Sequence, residues 1–142
     1  FELMAFDKNM VRLSDSIGNR VVLLFYPAAF TGVCTKEICT FSGSMNRMEA
    51  AEAEVFGISV DGIFANAAFA DANDINFPLL SDTNRQAARA YGVEIPFVMP
   101  DYTASQRSVF VIDEVGKISY AWVAENPGIE PDYEAILKHL ES

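Results

Sequence analysis

Apolar positions along the chain change period several times, and those changes divide it into elements. Residues 20–26 (Arg-Val-Val-Leu-Leu-Phe-Tyr) form a continuous run of β-branched and aromatic side chains that ends at Pro27. Such a run suits a central strand covered on both faces. Over residues 34–52 the spacing lengthens, and Ile38, Phe41, Met45 and Met48 recur at helical intervals. Residues 55–60 (Val-Phe-Gly-Ile-Ser-Val) predict a second buried strand. Asp61 then opens a helix to about residue 72, closed by Asn-rich sequence and Pro78. Residues 84–91 predict a short helix with Ala87, Ala88 and Tyr91 inward, and Gly92 suits the position after its end. Residues 93–106, with Pro96 and Pro100, are expected to be irregular. Residues 107–112, an Asp-Glu-Val-Gly turn and residues 117–123 make a β-hairpin. The last helix starts near Pro131, with Tyr133, Ile136, Leu137 and Leu140 on its apolar face. The order is βαβαβα followed by ββα. Strand–helix alternation requires parallel strands with right-handed crossovers, and the hairpin adds an antiparallel pair. The expected class is α/β: a three-layer α/β/α sandwich with a mixed central sheet.

Composition narrows the function classes. The 142 residues fit one domain, residues 1–142, with enough length for a real core. Ten Lys and Arg against 20 Asp and Glu give a net charge of −10, which repels phosphates and argues against nucleic-acid binding. No apolar run approaches the roughly 18 residues of a membrane span. The one histidine, His139, lies near the C-terminus, so a Cys-His or Ser-His-Asp triad and a standard zinc site are disfavoured. No metal and no cofactor is expected, since the common nucleotide loops are missing as well. Phe1-Glu2-Leu3 has the character of the middle of a first strand, with no initiating Met and no signal peptide; a missing N-terminal lead-in is expected, and any targeting segment would have been removed.

Candidate chemistry concentrates between the first central strand and the following helix, in Pro27-Ala-Ala-Phe-Thr-Gly-Val-Cys34. Ligands of open α/β sheets bind at that end of the strands. A cysteine in the first helical turn meets free backbone N–H groups and the positive end of the dipole, which favour thiolate. Thr31 is spaced to place a hydroxyl near the sulfur or a substrate oxygen. Pro27 fixes the loop and has no N–H of its own. Arg107, opening a later strand, is the candidate cation. Cys34 as a small buried hydrophobe is the plain alternative.

Pro27-x-x-x-Thr31-x-x-Cys34 resembles the active-site signature of the peroxiredoxins. The wider stretch Phe25-Tyr-Pro-Ala-Ala-Phe-Thr-Gly-Val-Cys-Thr-Lys-Glu37 is similar to the alkyl hydroperoxide reductase E type. The similarity runs on through Gly57-Ile-Ser-Val-Asp61, Pro78-Leu-Leu-Ser-Asp82, Ala90-Tyr-Gly-Val93, Arg107-Ser-Val-Phe-Val-Ile-Asp113 and Tyr120-Ala-Trp-Val123. The resemblance implies a thioredoxin-like fold and thiol peroxidase activity on hydrogen peroxide and organic hydroperoxides. Cys34 would be the peroxidatic cysteine, with Pro27, Thr31 and Arg107 completing the site. Backbone N–H groups near Val33 and Cys34 would assist, and Glu37 would orient Arg107 or else stand as a solvated helix-start acid.

Cys39 follows at Cys-x4-Cys spacing, similar to the bacterioferritin-comigratory (Q-type) members, where the second cysteine resolves the sulfenate. Five helical residues separate Cα atoms by roughly 8–9 Å, whereas a disulfide needs about 7 Å or less. The helix start must therefore unwind for Cys39 to resolve Cys34; the alternative is an external thiol. The implied partners are a hydroperoxide, a thioredoxin-like, glutaredoxin-like or small-thiol reductant, and a second copy in a homodimer or higher homo-oligomer. The implied location is cytoplasmic. A disulfide oxidoreductase is disfavoured because no Cys-x-x-Cys pair exists, and a binding or chaperone module that lost turnover is the rival from another class. Arg85 and Arg89 are expected at the surface, and His139 facing solvent.

Overall fold

A computed structural model describes residues 1–126 and 128–142. Its main sheet has seven strands: β1 (Glu2–Ala5), β2 (Met10–Arg12), β3 (Arg20–Phe25), β4 (Ala53–Ser59), β5 (Leu79–Ser81), β8 (Ser108–Ile112) and β9 (Ile118–Val123), in the order β2-β1-β5-β4-β3-β8-β9. The pairs β3–β4 and β4–β5 are parallel, and β3–β8, β8–β9, β1–β5 and β1–β2 are antiparallel. The sheet is mixed, as expected.

Alternation along β3 explains its continuous apolar run. Val22, Leu24 and Tyr26 face one core with Ile38, Phe41, Met48, Phe69, Ile136 and Leu140. Val21, Leu23 and Phe25 face the other, with Phe56, Ile58, Leu80, Ala87, Ala88 and Phe110. The first core is covered by α1 (Gly32–Gly43), α2 (Met45–Ala50), α3 (Ile63–Asn73) and α5 (Tyr133–Glu141); the second is covered in part by α4 (Gln86–Ala90). Gly57 lets β4 approach its neighbours: a Cβ there would lie 2.6 Å from Leu79 Cδ2 and 3.3 Å from the Tyr26 ring.

Four expectations need correction. The helix over residues 34–52 is two helices, because the chain turns at Ser44, whose N–H bonds Phe41 O (2.9 Å) and whose hydroxyl bonds Thr40 O (3.1 Å). Met48 still reaches the core, so the apolar spacing survives the break. Residues 93–106 are not irregular. They form a second, two-stranded sheet of β6 (Glu94–Phe97) and β7 (Met99–Ser105), with Pro96 and Pro100 exposed at positions an edge pair tolerates. The final helix starts at Tyr133, where the Asp132 side chain caps the Ala135 N–H at 3.0 Å. Helix α3 starts at Ile63, which leaves Asp61 ahead of it and its carboxylate available for another task.

Candidate active site

Strand β3 and its neighbour β8 bring the site together. Phe25 pairs with Ser108, so Arg107, one residue ahead of β8, stands beside the end of β3 where the loop to α1 begins. The Arg107 backbone is fixed there by the Ala124 N–H donating to its carbonyl (2.9 Å). Tyr26 still donates to Ile58 O (3.0 Å), and buried Pro27, with no N–H, ends that ladder.

Cys34 is the third residue of α1, inside the first turn as expected, and is 1% exposed. The helical ladder starts with Thr35 N donating to Thr31 O (2.9 Å), and the Thr31 side chain does not cap the helix. The amides of Gly32, Val33 and Cys34 thus precede any intrahelical acceptor. Arg107 is also 1% exposed; its Nη2 donates to Cys34 Sγ at 3.1 Å and its Nη1 to Glu37 Oε1 at 2.8 Å. A guanidinium is well suited to this: it is always charged and carries donors in a rigid fork.

Glu37 is fully buried, one helical turn after Cys34, so it is not a solvated helix-start acid. Its Oε2 has no hydrogen-bond partner among the described residues. Burial pushes the Glu37 carboxyl up to about 8, with the Arg107 charge and hydrogen bond opposing the rise. Burial also acts to lower Arg107, but the charges of Glu37 and Cys34 outweigh it and hold the guanidinium above its ordinary value.

Pro27, Thr31, Gly32, Val33, Cys34 and Arg107 line one cleft of about 270 Å³, joined by Phe97 and Gly128. The Thr31 hydroxyl donates to Ala28 O (2.9 Å). With its hydrogen so committed, Thr31 can meet a substrate as an acceptor. Cys39 is not in the cleft. It is half-buried on the far turn of α1, its thiol directed at Asn73 Oδ1 on α3 (3.8 Å). Among the described residues no group of three or more His, Cys, Asp or Glu is placed to hold a metal ion.

A cysteine sulfur at a cleft, bonded to a guanidinium and flanked by the first amides of a helix and a hydroxyl, can, as thiolate, attack an electrophile whose charge moves onto a neighbouring atom. Residues 1–121 match the AhpC/TSA family. The chain belongs to this peroxiredoxin family. Peroxiredoxin Bcp of Escherichia coli K12 is 36% identical over 124 residues, covering 86% of this chain and 80% of that protein. The chloroplastic 2-Cys peroxiredoxin BAS1 of Hordeum vulgare is 34% identical over 140 residues, 93% of this chain; the chain spans 64% of that protein's length and 51% of its spinach counterpart. The crystal structure of peroxidoxin BcpB from Mycobacterium tuberculosis superimposes with a TM-score of 0.88 at 33% identity, covering 99% of this chain and 91% of the other. The thioredoxin-like fold expected for a peroxiredoxin is borne out by that match.

Three residues of this peroxiredoxin's site region were not anticipated. Phe97 and Gly128 lie at the cleft only because β6–β7 and the segment before α5 fold over it. Asp61 accepts the Ala29 N–H at 2.8 Å, across 32 positions of sequence. Arg85 and Arg89 do other work: Arg85 donates to Thr103 O (2.9 Å) and Arg89 pairs with Glu94 (2.9 Å), fastening the β6–β7 hairpin to α4. His139 is half-buried against the Tyr120 ring, 5.4 Å between centroids, rather than facing solvent. No described helix is long and apolar enough to cross a membrane.

Proposed function

We propose that this chain is a thiol peroxidase that reduces hydrogen peroxide and organic hydroperoxides at Cys34, with residues 1–142 acting as one peroxiredoxin domain. The observation that carries the reading is the 3.1 Å contact from Arg107 to the Cys34 sulfur at the wall of an open cleft. The Cys34 thiolate attacks the terminal oxygen of ROOH in line with the O–O bond. The S–O bond forms as the O–O bond breaks, the bonding pair leaves on the RO oxygen, and a proton makes it ROH. Negative charge thus moves from sulfur to the leaving oxygen. Arg107 and the amides of Val33 and Cys34 stabilise it along that path, while Thr31 accepts from the substrate's O–H.

The Cys34 sulfenic acid then condenses with a thiol, releasing water and leaving a disulfide. That thiol is Cys39 once α1 has unwound, or an external one. A thioredoxin-like, glutaredoxin-like or small-thiol donor returns the pair to the reduced state. The protein works as a homodimer or higher homo-oligomer in the cytoplasm, a reducing compartment that suits free thiols.

The test is single-turnover oxidation of the reduced protein by hydrogen peroxide and by tert-butyl hydroperoxide. Cys34 is expected to react far faster than free cysteine at equal pH, and Cys34→Ser to consume no peroxide. A wild-type rate no better than free cysteine would overturn the reading.

A further inference from the structure

The loop carrying Pro27 and Thr31 is held from outside by a group that the reaction does not touch. Asp61, just beyond β4, accepts two hydrogen bonds on Oδ2, from the Ala29 N–H (2.8 Å) and from the Ser59 hydroxyl (2.8 Å). Its own N–H lies 3.3 Å from Ser59 Oγ. Behind it sits Asn66, fully buried on α3. Asn66 Oδ1 accepts from the Tyr26 hydroxyl (3.0 Å), and its Nδ2 donates to Ser81 Oγ (3.2 Å) and Asp61 O (3.4 Å). The ends of two parallel strands, at Tyr26 and Ser81, are therefore tied to one buried amide, Ser59 Oγ on the strand between them lies 3.3 Å from that amide's Oδ1, and Asp61 extends the tie to the loop. A buried polar network in which every member is bonded is rigid and fixes a single arrangement.

The loop needs such a hold. Phe30, directly after Ala29, has φ of 66° and is 57% exposed, a left-handed conformation costly for a bulky side chain unless its surroundings impose it. Thr31 follows, its hydroxyl bonded back to Ala28 O, and α1 starts at the next residue. Cys34 and Arg107 are fixed independently, from β8 and through Glu37.

We infer, resting on the peroxidase reading above, that Asp61 is a positioning residue for the peroxide. Through the Ala29 amide it sets the Thr31 hydroxyl and the first amides of α1 at the spacing the O–O bond requires, without itself activating the sulfur. Its loss therefore separates two reactions of the same thiol.

The experiment compares Asp61→Ala, Asp61→Asn and the parent, all with Cys39→Ser so that Cys34 is the sole thiol. Each is reacted with hydrogen peroxide and, separately, with iodoacetamide, which needs the thiolate but no O–O alignment. Misplacement of reacting groups by about an ångström costs on the order of 100-fold, so Asp61→Ala should lose about 10- to 100-fold toward peroxide. Its alkylation rate should stay within about twofold of the parent. Asp61→Asn, whose amide oxygen still accepts from Ala29, should return to within about threefold of the parent toward peroxide. Asp61→Glu keeps the charge but moves the acceptor by one methylene; it should show the same selective loss, and it serves if the alanine variant does not fold. Equal falls in both reactions, an unchanged peroxide rate in the alanine and glutamate variants, or no recovery in Asp61→Asn would overturn the role of Asp61. A parent that is no faster with peroxide than free cysteine would instead sink the peroxidase reading itself.

Discussion

Glu37 is the residue whose chemistry is least apparent from its position in the helix. A carboxyl in the second turn of a helix ordinarily faces water; here Glu37 is buried, with one oxygen on Arg107 and the other without a hydrogen-bond partner among the described residues. Burial raises its pKa from 4.5 to about 8, so between those values the folded protein holds a proton that the unfolded chain has released. The Glu37 contribution to stability is then greatest below pH 4.5 and is lost as pH rises toward 8. Glu37→Gln carries no titrating proton. Denaturant midpoints measured across this range should show wild type declining relative to Glu37→Gln as pH rises. Parallel profiles would mean that Glu37 stays ionised beside Arg107.

At the scale of elements, α1 is clamped more firmly than a first turn usually is. On its outer side Lys36 pairs with Glu130 (3.1 Å), Glu130 accepts from the Tyr133 hydroxyl (2.6 Å), and the Tyr133 ring packs on Phe41 at 5.2 Å. On its far turns Ser42 bonds Asn76 (2.8 Å). Unwinding toward Cys39 must break the first set. Lys36 is 69% exposed, so its pair is screened and worth at most about 1 kcal/mol. Glu130→Gln should accordingly speed formation of a Cys34–Cys39 disulfide after one equivalent of peroxide by up to about fivefold, with the oxidation step unchanged. Mass spectrometry of quenched samples reads both steps, and a persistent sulfenate that Cys39→Ser leaves unaltered would exclude Cys39 from the cycle. The same elements show what the sequence could carry. Strands β3, β4 and β8 were legible because each is a continuous apolar run buried on both faces, β9 because a short turn joins it to β8, and Pro27, Thr31 and Cys34 because they are local to one loop. The β6–β7 hairpin was not, since its prolines look like breakers until a partner strand lies alongside. Asp61 and Phe97 reach the site only through tertiary folding, which no spacing along the chain encodes.

The whole molecule carries a net charge of −10, while Arg107, the cation at the Cys34 sulfur, is buried. The long-range field and the local one therefore have opposite signs. A neutral hydroperoxide feels little of the first, since a Debye length of about 10 Å at 0.1 M salt screens only charged encounters. Oxidation of Cys34 by hydrogen peroxide should then be nearly independent of ionic strength. Alkylation by anionic iodoacetate should accelerate severalfold as salt is added, whereas neutral iodoacetamide should not. Equal salt responses of the two alkylating reagents would show that the surface field does not reach the cleft. Arg107 also joins α1 to the start of β8 by gripping two side chains of the helix. Whatever draws the sulfur outward strips that grip of one of its two helical anchors, inside a core where stranded charge is costly. Under the proposed reaction, turnover and cohesion would hang on the same guanidinium, and the covalent cross-link that would ordinarily tighten a protein would here belong to its looser form.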